Sequence, residues 1–253
     1  MIKLTVAIIT FNEEHNIARC LESVKEIADE ILVVDSFSTD NTENICLKYG
    51  ARFVKNAFIG HIEQKNIALK LSNHDYILSL DADEVLSLEL LNEIKKVKAD
   101  FKLSGYRFNR LTNYNGHWVR HCGWYPDTKL RLIKKNHAQW CGLNPHDILQ
   151  MKVESDVGFL SGDLLHYSYD SISSHINQTN KFTTIAAKAA YAQGVRSSLF
   201  KIVTRPILKF LRDYFFKLGF LDGRYGFIIC FINALSALLK YSKLFDLQSG
   251  KKI

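Results

Sequence analysis

The chain has 253 residues, an apolar fraction of 47% and a formal net charge of +7. That length suits one large domain, or a domain with an appendage, and the apolar content excludes general disorder. Three prolines and 13 glycines exclude collagen-like and low-complexity classes, and five scattered cysteines without a CxxC exclude a disulfide scaffold or zinc ribbon.

The first hundred residues alternate strand and helix. Leu4–Thr10 is rich in β-branched residues and reads as a buried strand. Asn16–Val24 follows as a helix, with Ile17, Cys20, Leu21 and Val24 on one face. Glu30–Asp35 is a second strand, and Asp40 opens a helix that runs to Tyr49 and stops at Gly50. Ala51–Lys55 is a short third strand, His61–Leu71 a helix with Ile62, Ile67 and Leu71, Tyr76–Leu80 a fourth strand, and Leu88–Lys98 a helix. This alternation predicts an α/β fold with parallel strands and helices on both faces. Beyond it, Gly105–Leu111, His117–Val119 and Thr128–Ile133 read as short strands, and Asp170–Gln193 as a helix.

The net charge sits in the tail. Leu199–Ile253 carries ten Lys/Arg against three acids, whereas the first 198 residues balance at 23 of each. Lys201, Arg205, Lys209 and Arg212 recur at helical spacing among Phe200, Ile202, Val203, Ile207, Leu208, Phe210 and Leu211. That pattern suits a helix lying on an anionic membrane surface; a packed helix pair closing the domain or a homodimer uses the same face. The uncharged run Tyr225–Leu239 spans about 22 Å as a helix, short of a bilayer core of about 30 Å. The aromatics form an apolar face rather than a stacking platform in a basic groove, so nucleic acid is not an expected partner. Leu4–Ile9 is too short for a secretory core and the odd cysteine count fits a reducing compartment, so a cytoplasmic location is expected.

In open α/β sheets, ligands bind beyond the carboxyl ends of the strands. There the sequence places Thr10 and Glu13, then Asp35 to Asp40, then Asp81, Asp83 and Glu84. Helix capping accounts for Asp40 but not for Asp35 or the Asp81-Ala82-Asp83 triplet. Two carboxylates one residue apart can hold a hard divalent cation and leave positions for substrate phosphates. No GxGxxG follows the first strand and no GxxxxGK[ST] occurs, which removes the common dinucleotide and P-loop readings. Lys129 and Arg131, two apart on a strand, suit a phosphate on donor or acceptor, or a solvated face. Trp118, Trp124, Trp140, Tyr114 and Tyr125 suit stacking on sugar rings or core packing.

On Val6 to Glu14, Val33 to Asp40 and Leu78 to Glu84, the sequence resembles the inverting glycosyltransferases of family 2, whose nucleotide-sugar-binding fold is called GT-A. Trp140-Cys141-Gly142 with His146-Asp147, Leu164 to Tyr169, Gly219 to Gly223 and Gly226-Phe227 resemble the lipopolysaccharide core β-1,4-glucosyltransferases. The resemblance implies a Rossmann-like mixed sheet flanked by helices in residues 1–195, with a nucleotide-binding half (1–100) and an acceptor half (101–195). A basic helical membrane-facing appendage follows in 196–253.

The resemblance also implies roles. Thr10, Glu13 and Asp35 line the base and ribose of a UDP-sugar, with Asp81 near the ribose and Lys65 approaching the donor. Asp83 binds Mg²⁺ or Mn²⁺ against the diphosphate, and His166 adds a metal or phosphate contact. Inverting transfer needs a base for the acceptor hydroxyl, and Asp147, in a loop after Pro145 and His146, is the candidate. The subgroup often carries Glu at that place, one methylene longer. The expected reaction moves a hexose, glucose first, to a lipopolysaccharide-core or other lipid-linked acceptor. A nucleotidyltransferase needs a glycine-rich basic loop, which Thr10–Asn16 is not. A membrane-associated binding protein without turnover does not need the intact Asp81/Asp83 pair.

Overall fold

The computed structural model describes residues 1–143, 146–152 and 156–253, with the side chains of residues 143 and 146 left out. In chain order the elements are β1 (Leu4–Thr10), α1 (Ile17–Val24), β2 (Glu30–Asp35), α2 (Thr42–Lys48), β3 (Arg52–Lys55), α3 (His61–Leu71), β4 (Tyr76–Asp81), β5 (Glu84–Leu86) and α4 (Leu88–Ala99). Then follow β6 (Gly105–Tyr114), β7 (His117–Val119), β8 (Asp127–Lys134), β9 (Ala138–Leu143), β10 (His146–Met151), β11 (Val157–Tyr169), α5 (Ile172–Ala192), α6 (Leu199–Leu211) and α7 (Gly223–Gln248). The chain forms two compact units, Met1–Arg110 with Asp127–Tyr167, and Leu111–Pro126 with Ser168–Ile253. These units are cut differently from the 1–195 and 196–253 segments named above, because α5 goes with the later helices.

In the first unit the strand order is β3-β2-β1-β4-β8-β6-β11-β5. Strands β1 to β4 are parallel, and β8 joins β4 antiparallel, so the sheet is mixed as the expected fold class requires. Successive residues of β1 serve opposite faces. Leu4, Val6 and Ile8 pack with Ile17 and Leu21 of α1 and with Leu90 and Ile94 of α4. Ala7, with Leu32 and Val34, packs with Ala68 and Leu69 of α3 and with Trp140 and Leu149 of the β9–β10 hairpin. A strand covered on both faces reads as a continuous apolar run, which is why β1 was legible.

Several expectations shift. Helix α2 starts at Thr42, not Asp40. The Asp40 carboxylate accepts from Thr42 N at 3.0 Å and from Glu14 N at 3.0 Å, tying the loop after β2 to the loop after β1. Helix α5 starts at Ile172, where Ser171 and Ser174 form a reciprocal cap. Helix α3 has the predicted bounds but buries Gln64, Lys65, Ala68 and Leu69, while Ile62, Ile67 and Leu71 are only partly buried. Strands β5, β9, β10 and β11 have no counterpart in the predicted elements. In β11 the period is broken at Gly162, whose φ of +86° is closed to most side chains and where a Cβ would meet the Leu90 backbone.

The second unit pairs β7 with the end of β6 and packs α5 and α6 on α7. Its core holds Tyr114, Val119, Cys122, Ile229 and Cys230. Gly226 lies so close to the Gly219 carbonyl that no Cβ fits, and a Cβ on Gly219 would meet Cys230 and the Asp213 carbonyl, which explains these two glycines of the tail motif by packing. Asp222 of the same motif accepts from His121 N at 2.8 Å. Helix α6 buries no residue and leaves Leu199, Phe200, Val203, Ile207 and Leu208 exposed. Gly219–Gln248 is long and apolar enough, by length and composition alone, to cross a membrane, with 28% of its apolar window buried.

His175 of α5 is buried against Tyr114, Trp124 and Tyr169, with its Nδ1 3.1 Å from the Tyr114 hydroxyl. Burial pushes its pKa down to about 4 from an ordinary 6.5. The folded pKa lies below the unfolded one, so this contribution to stability is complete above the unfolded value and is lost as pH falls towards the folded value. Denaturant unfolding between pH 7 and pH 4 should show stability falling with acidity by up to about 1.4 kcal/mol per pH unit from this group. His175→Phe should remove that part of the slope.

Candidate active site

The register of the parallel strands places Thr10 beside Asp35 and Ile9 beside Asp81. The Thr10 hydroxyl donates to Asp35 Oδ1 at 2.8 Å, and Asp35 Oδ2 accepts from Ser38 N at 2.7 Å. Asp35 is fully buried and Thr10 nearly so. Their contact shapes the loops after β1 and β2. Glu13 is half-buried at the entry to α1; its backbone N–H donates to the Thr42 hydroxyl at 2.9 Å, and its carboxylate accepts from Asn16 Nδ2 at 2.8 Å.

The end of β4 carries a dense ionic cluster. Lys65 Nζ lies 2.9 Å from Asp81 Oδ1, 3.0 Å from Asp81 Oδ2 and 2.7 Å from Asp147 Oδ2. Arg131 Nη2 lies 2.8 Å from Glu84 Oε1 and 3.3 Å from Asp81 Oδ2. Arg110 bridges Glu84 at 3.3 Å and Asp127 at 2.8 Å. Glu84 is 0% exposed, Arg131 2% and Lys65 3%. Burial alone pushes the Asp81 carboxyl up, but the Lys65 and Arg131 charges reverse this and hold it well below the usual carboxylate range. Burial works against the Arg131 charge, yet Glu84 and Asp81 keep it firmly protonated.

Asp147 does not sit in a loop. It is the second residue of β10, paired with Gly142 of β9 in a two-stranded hairpin. Pro145 lies outside the described residues. The hairpin is fastened to α3 by the Asn66 side-chain amide, which donates to Trp140 O at 2.9 Å and accepts from Trp140 N at 3.0 Å. Lys65 and Asn66 are neighbours on α3, so one helix turn sets the place of the hairpin and of its carboxylate.

Asp83 and His166 form a separate pair. His166 Nε2 lies 3.1 Å from Asp83 Oδ2, and Tyr167 N donates to Asp83 O at 3.0 Å. Strand β11 brings His166 there by pairing it with Glu84 of β5. His166 Nδ1 is buried without a hydrogen-bond partner among the described residues. A carboxylate oxygen beside an imidazole suits a divalent cation whose other ligands come from substrate. No group of three or more His, Cys, Asp or Glu that could hold a metal occurs among the described residues. Two protein ligands plus diphosphate oxygens would fit, whereas a closed structural site would not. Cys20 is no ligand here: burial, then Glu84 and Asp83, push its thiol well up and keep it neutral.

A cavity of about 580 Å³ opens on the Lys65, Asp81 and Asp147 side of the cluster, within the roughly 300–1,000 Å³ range of small-molecule sites. Arg107, Arg110, Lys129, Arg131 and Trp140 also line it. Of the aromatic residues named from sequence, Trp140 therefore reaches the cavity, with Lys65 Nζ 4.4 Å from its ring centre. Tyr114 is instead fully buried in the second unit, with Trp124 packed against it. The sequence reading missed the structural parts of Asn66, Arg110 and Asp127. Arg110 and Asp127 face each other across β6 and β8, and local sequence carries no sign of that pairing.

A mixed α/β sheet with carboxylates, cations and a cavity at the carboxyl ends of its parallel strands is the arrangement of a ligand-binding enzyme of the open-sheet class. The family described as Glycosyl transferase family 2 matches residues 5–149. The chain is 33% identical to an uncharacterized glycosyltransferase of Rickettsia typhi, over 98% of this chain and 88% of that one. It is 30% identical to the lipopolysaccharide core biosynthesis glycosyltransferase LpsC of Rhizobium meliloti, over 98% and 94%. Among solved structures, glucosyl-3-phosphoglycerate synthase from Mycobacterium tuberculosis with Mn²⁺ and UDP-glucose is similar over 44% of each chain, at 21% identity and a TM-score of 0.37. The chain belongs to glycosyltransferase family 2 and is a glycosyltransferase.

Glu84 is the buried anion shared by Arg110 and Arg131. Glu84→Ala leaves a buried guanidinium short of its closest partner and should cost about 3–5 kcal/mol of stability, read as a lowered denaturation midpoint in urea.

Proposed function

We propose that this glycosyltransferase moves a hexose, glucose first, from a UDP-sugar to a lipopolysaccharide-core or other lipid-linked saccharide, with inversion to the β anomer. The observation that carries the reading is the juxtaposition at the end of β4. A cation-ready Asp83–His166 pair adjoins the ionised Asp81, and Asp147 stands across Lys65 from Asp81 at the edge of a cavity.

Thr10, Glu13 and Asp35, at the ends of β1 and β2, receive the nucleoside. Asp81, held ionised by Lys65 and Arg131 and lining the cavity, is assigned to a ribose hydroxyl. Asp83 and His166 would hold Mg²⁺ or Mn²⁺, which when bound would neutralise charge developing on the leaving diphosphate. Asp147 takes the proton of the acceptor hydroxyl as that oxygen bonds to the anomeric carbon. The bond from that carbon to the phosphate oxygen breaks, and UDP leaves with the electron pair. Lys65 keeps Asp81 as a partner when Asp147 becomes neutral, so the buried ammonium is never left unpaired.

The acceptor class is supported by the near full-length similarity to LpsC and by α6. An exposed apolar face with Lys201 and Arg205, followed by Lys209 and Arg212 around Asp213, suits the anionic inner face of the cytoplasmic membrane, and surface binding raises the local acceptor concentration.

A UDP-release assay with Mn²⁺ or Mg²⁺ across a panel of nucleotide sugars, with and without lipid-core acceptor, tests the reaction. UDP-glucose with acceptor should give the highest metal-dependent rate; no release from any UDP-sugar, with no UDP binding, overturns the reading. Asp147→Asn should lower kcat about 10²–10⁴-fold with UDP affinity kept, whereas Asp83→Ala should abolish metal-dependent UDP binding. Sedimentation with phosphatidylglycerol vesicles should carry the full chain down, with less bound at high salt or to phosphatidylcholine. Equal recovery with both lipids would remove the anionic-surface part.

A further inference from the structure

The cavity beside Asp147 has more positive charge than its own ion pairs use. Five of its lining side chains are cationic and two, Asp81 and Asp147, are acidic. Lys65 satisfies both of those acids. Arg110 and Lys129 are held by Asp127, and Arg110 and Arg131 by Glu84, neither of which lines the cavity. Arg107 is exposed and has no ion pair among the described residues. Arg131 is 2% exposed, yet its Nε and Nη1 are buried donors with no hydrogen-bond partner among the described residues. The indole Nε1 of Trp140, 5% exposed on the same wall, is also without one. Buried donors left unmade are costly, and a guanidinium with two free N–H groups suits an anionic oxygen acceptor.

Which part of the substrate supplies that anion follows from what the cavity omits. Thr10, Glu13 and Asp35, assigned to the nucleoside, do not line it, and neither do Asp83 and His166, assigned to the metal and diphosphate; Asp81 and Lys65, assigned to the ribose side of the donor, mark its border with the donor. Asp147, assigned to the acceptor proton, does. The β6–β8 register shifts between Tyr106 and Arg107, an irregularity of the kind that re-aims a side chain. Lys129, 36% exposed, and Arg131, almost wholly buried, lie two apart on β8 and share this wall.

We infer that this cavity is an acceptor subsite for a phosphorylated saccharide, with Arg107, Lys129 and the free edge of Arg131 receiving a phosphomonoester while a sugar hydroxyl meets Asp147. The inference rests on the proposed glycosyl transfer and on Asp147 as its base. A phosphomonoester is an anion with several strong acceptor oxygens, which suits the unpaired Arg107 and the free donors of Arg131.

The test uses the full chain saturated with UDP and Mn²⁺, probed by ligand-observed NMR with glucose 6-phosphate and with glucose. Glucose 6-phosphate should bind at least about tenfold more tightly than glucose, and UDP should not displace it. The Arg107→Gln, Lys129→Gln double variant should weaken glucose 6-phosphate about tenfold or more and leave UDP affinity unchanged. Both residues can be altered without stranding a buried carboxylate, because Asp127 keeps Arg110; unchanged UDP affinity shows that the variant is folded. Equal binding of the two sugars, no binding of either, or insensitivity to the double variant overturns the subsite. Displacement of glucose 6-phosphate by UDP also overturns it, by assigning the cations to the donor diphosphate. Failure of the wild type to bind UDP with Mn²⁺ is a different result, because it sinks the glycosyl-transfer reading itself.

Discussion

The first unit depends on keeping a buried ammonium and a buried guanidinium charged. Lys65 and Arg131 are almost wholly removed from water, and Asp81 lies between them within 3.3 Å of both. Charges so enclosed persist only when paired and hydrogen-bonded. Each partner is therefore brought by a different element: Asp81 by β4, Glu84 by β5, Asp147 by β10. The ionic demand at one point holds the strand ends, helix α3 and the hairpin in one arrangement. Apolar packing alone would fix such an arrangement less specifically, because it has no preferred direction.

The same constraint prepares the chemistry. Asp81 is held ionised between two fixed cations, and Asp147 is held at 2.7 Å from one of them. The Asn66 amide, clamped to both the N–H and the carbonyl of Trp140, limits how far the hairpin can drift. Positioning of this kind lowers the entropy lost when donor and acceptor meet.

Helix α3 is where the local rules fail. It has an apolar set at Ile62, Ile67 and Leu71, yet it turns Gln64 and Lys65 inward. Gln64 accepts from Asn56 at 2.8 Å and donates to the Ser36 hydroxyl at 3.1 Å, while Lys65 serves two carboxylates. A helix that buries polar side chains against strand ends gives up some amphipathicity to line a site. The tail motif is different. Gly219, Gly226 and Asp222 are accounted for by close backbone approach and by capping of the β7 exit, with no chemistry needed.

Much was legible in sequence because it is local. β-Branched runs, turn residues and caps marked β1 to β4 and their helices, and the carboxylates at the strand ends marked the side of the sheet where chemistry occurs. The hairpin and β11 were illegible, since Gly142 and Gly162 interrupt the alternation that marks a strand. Which charges meet was decided by tertiary structure alone. Arg110 and Asp127 are 17 residues apart, Arg131 and Glu84 are 47 apart, and Lys65 and Asp147 are 82 apart. Such pairs have no local energetic signature; they are selected only when folding removes water and leaves each charge only its opposite charges within reach.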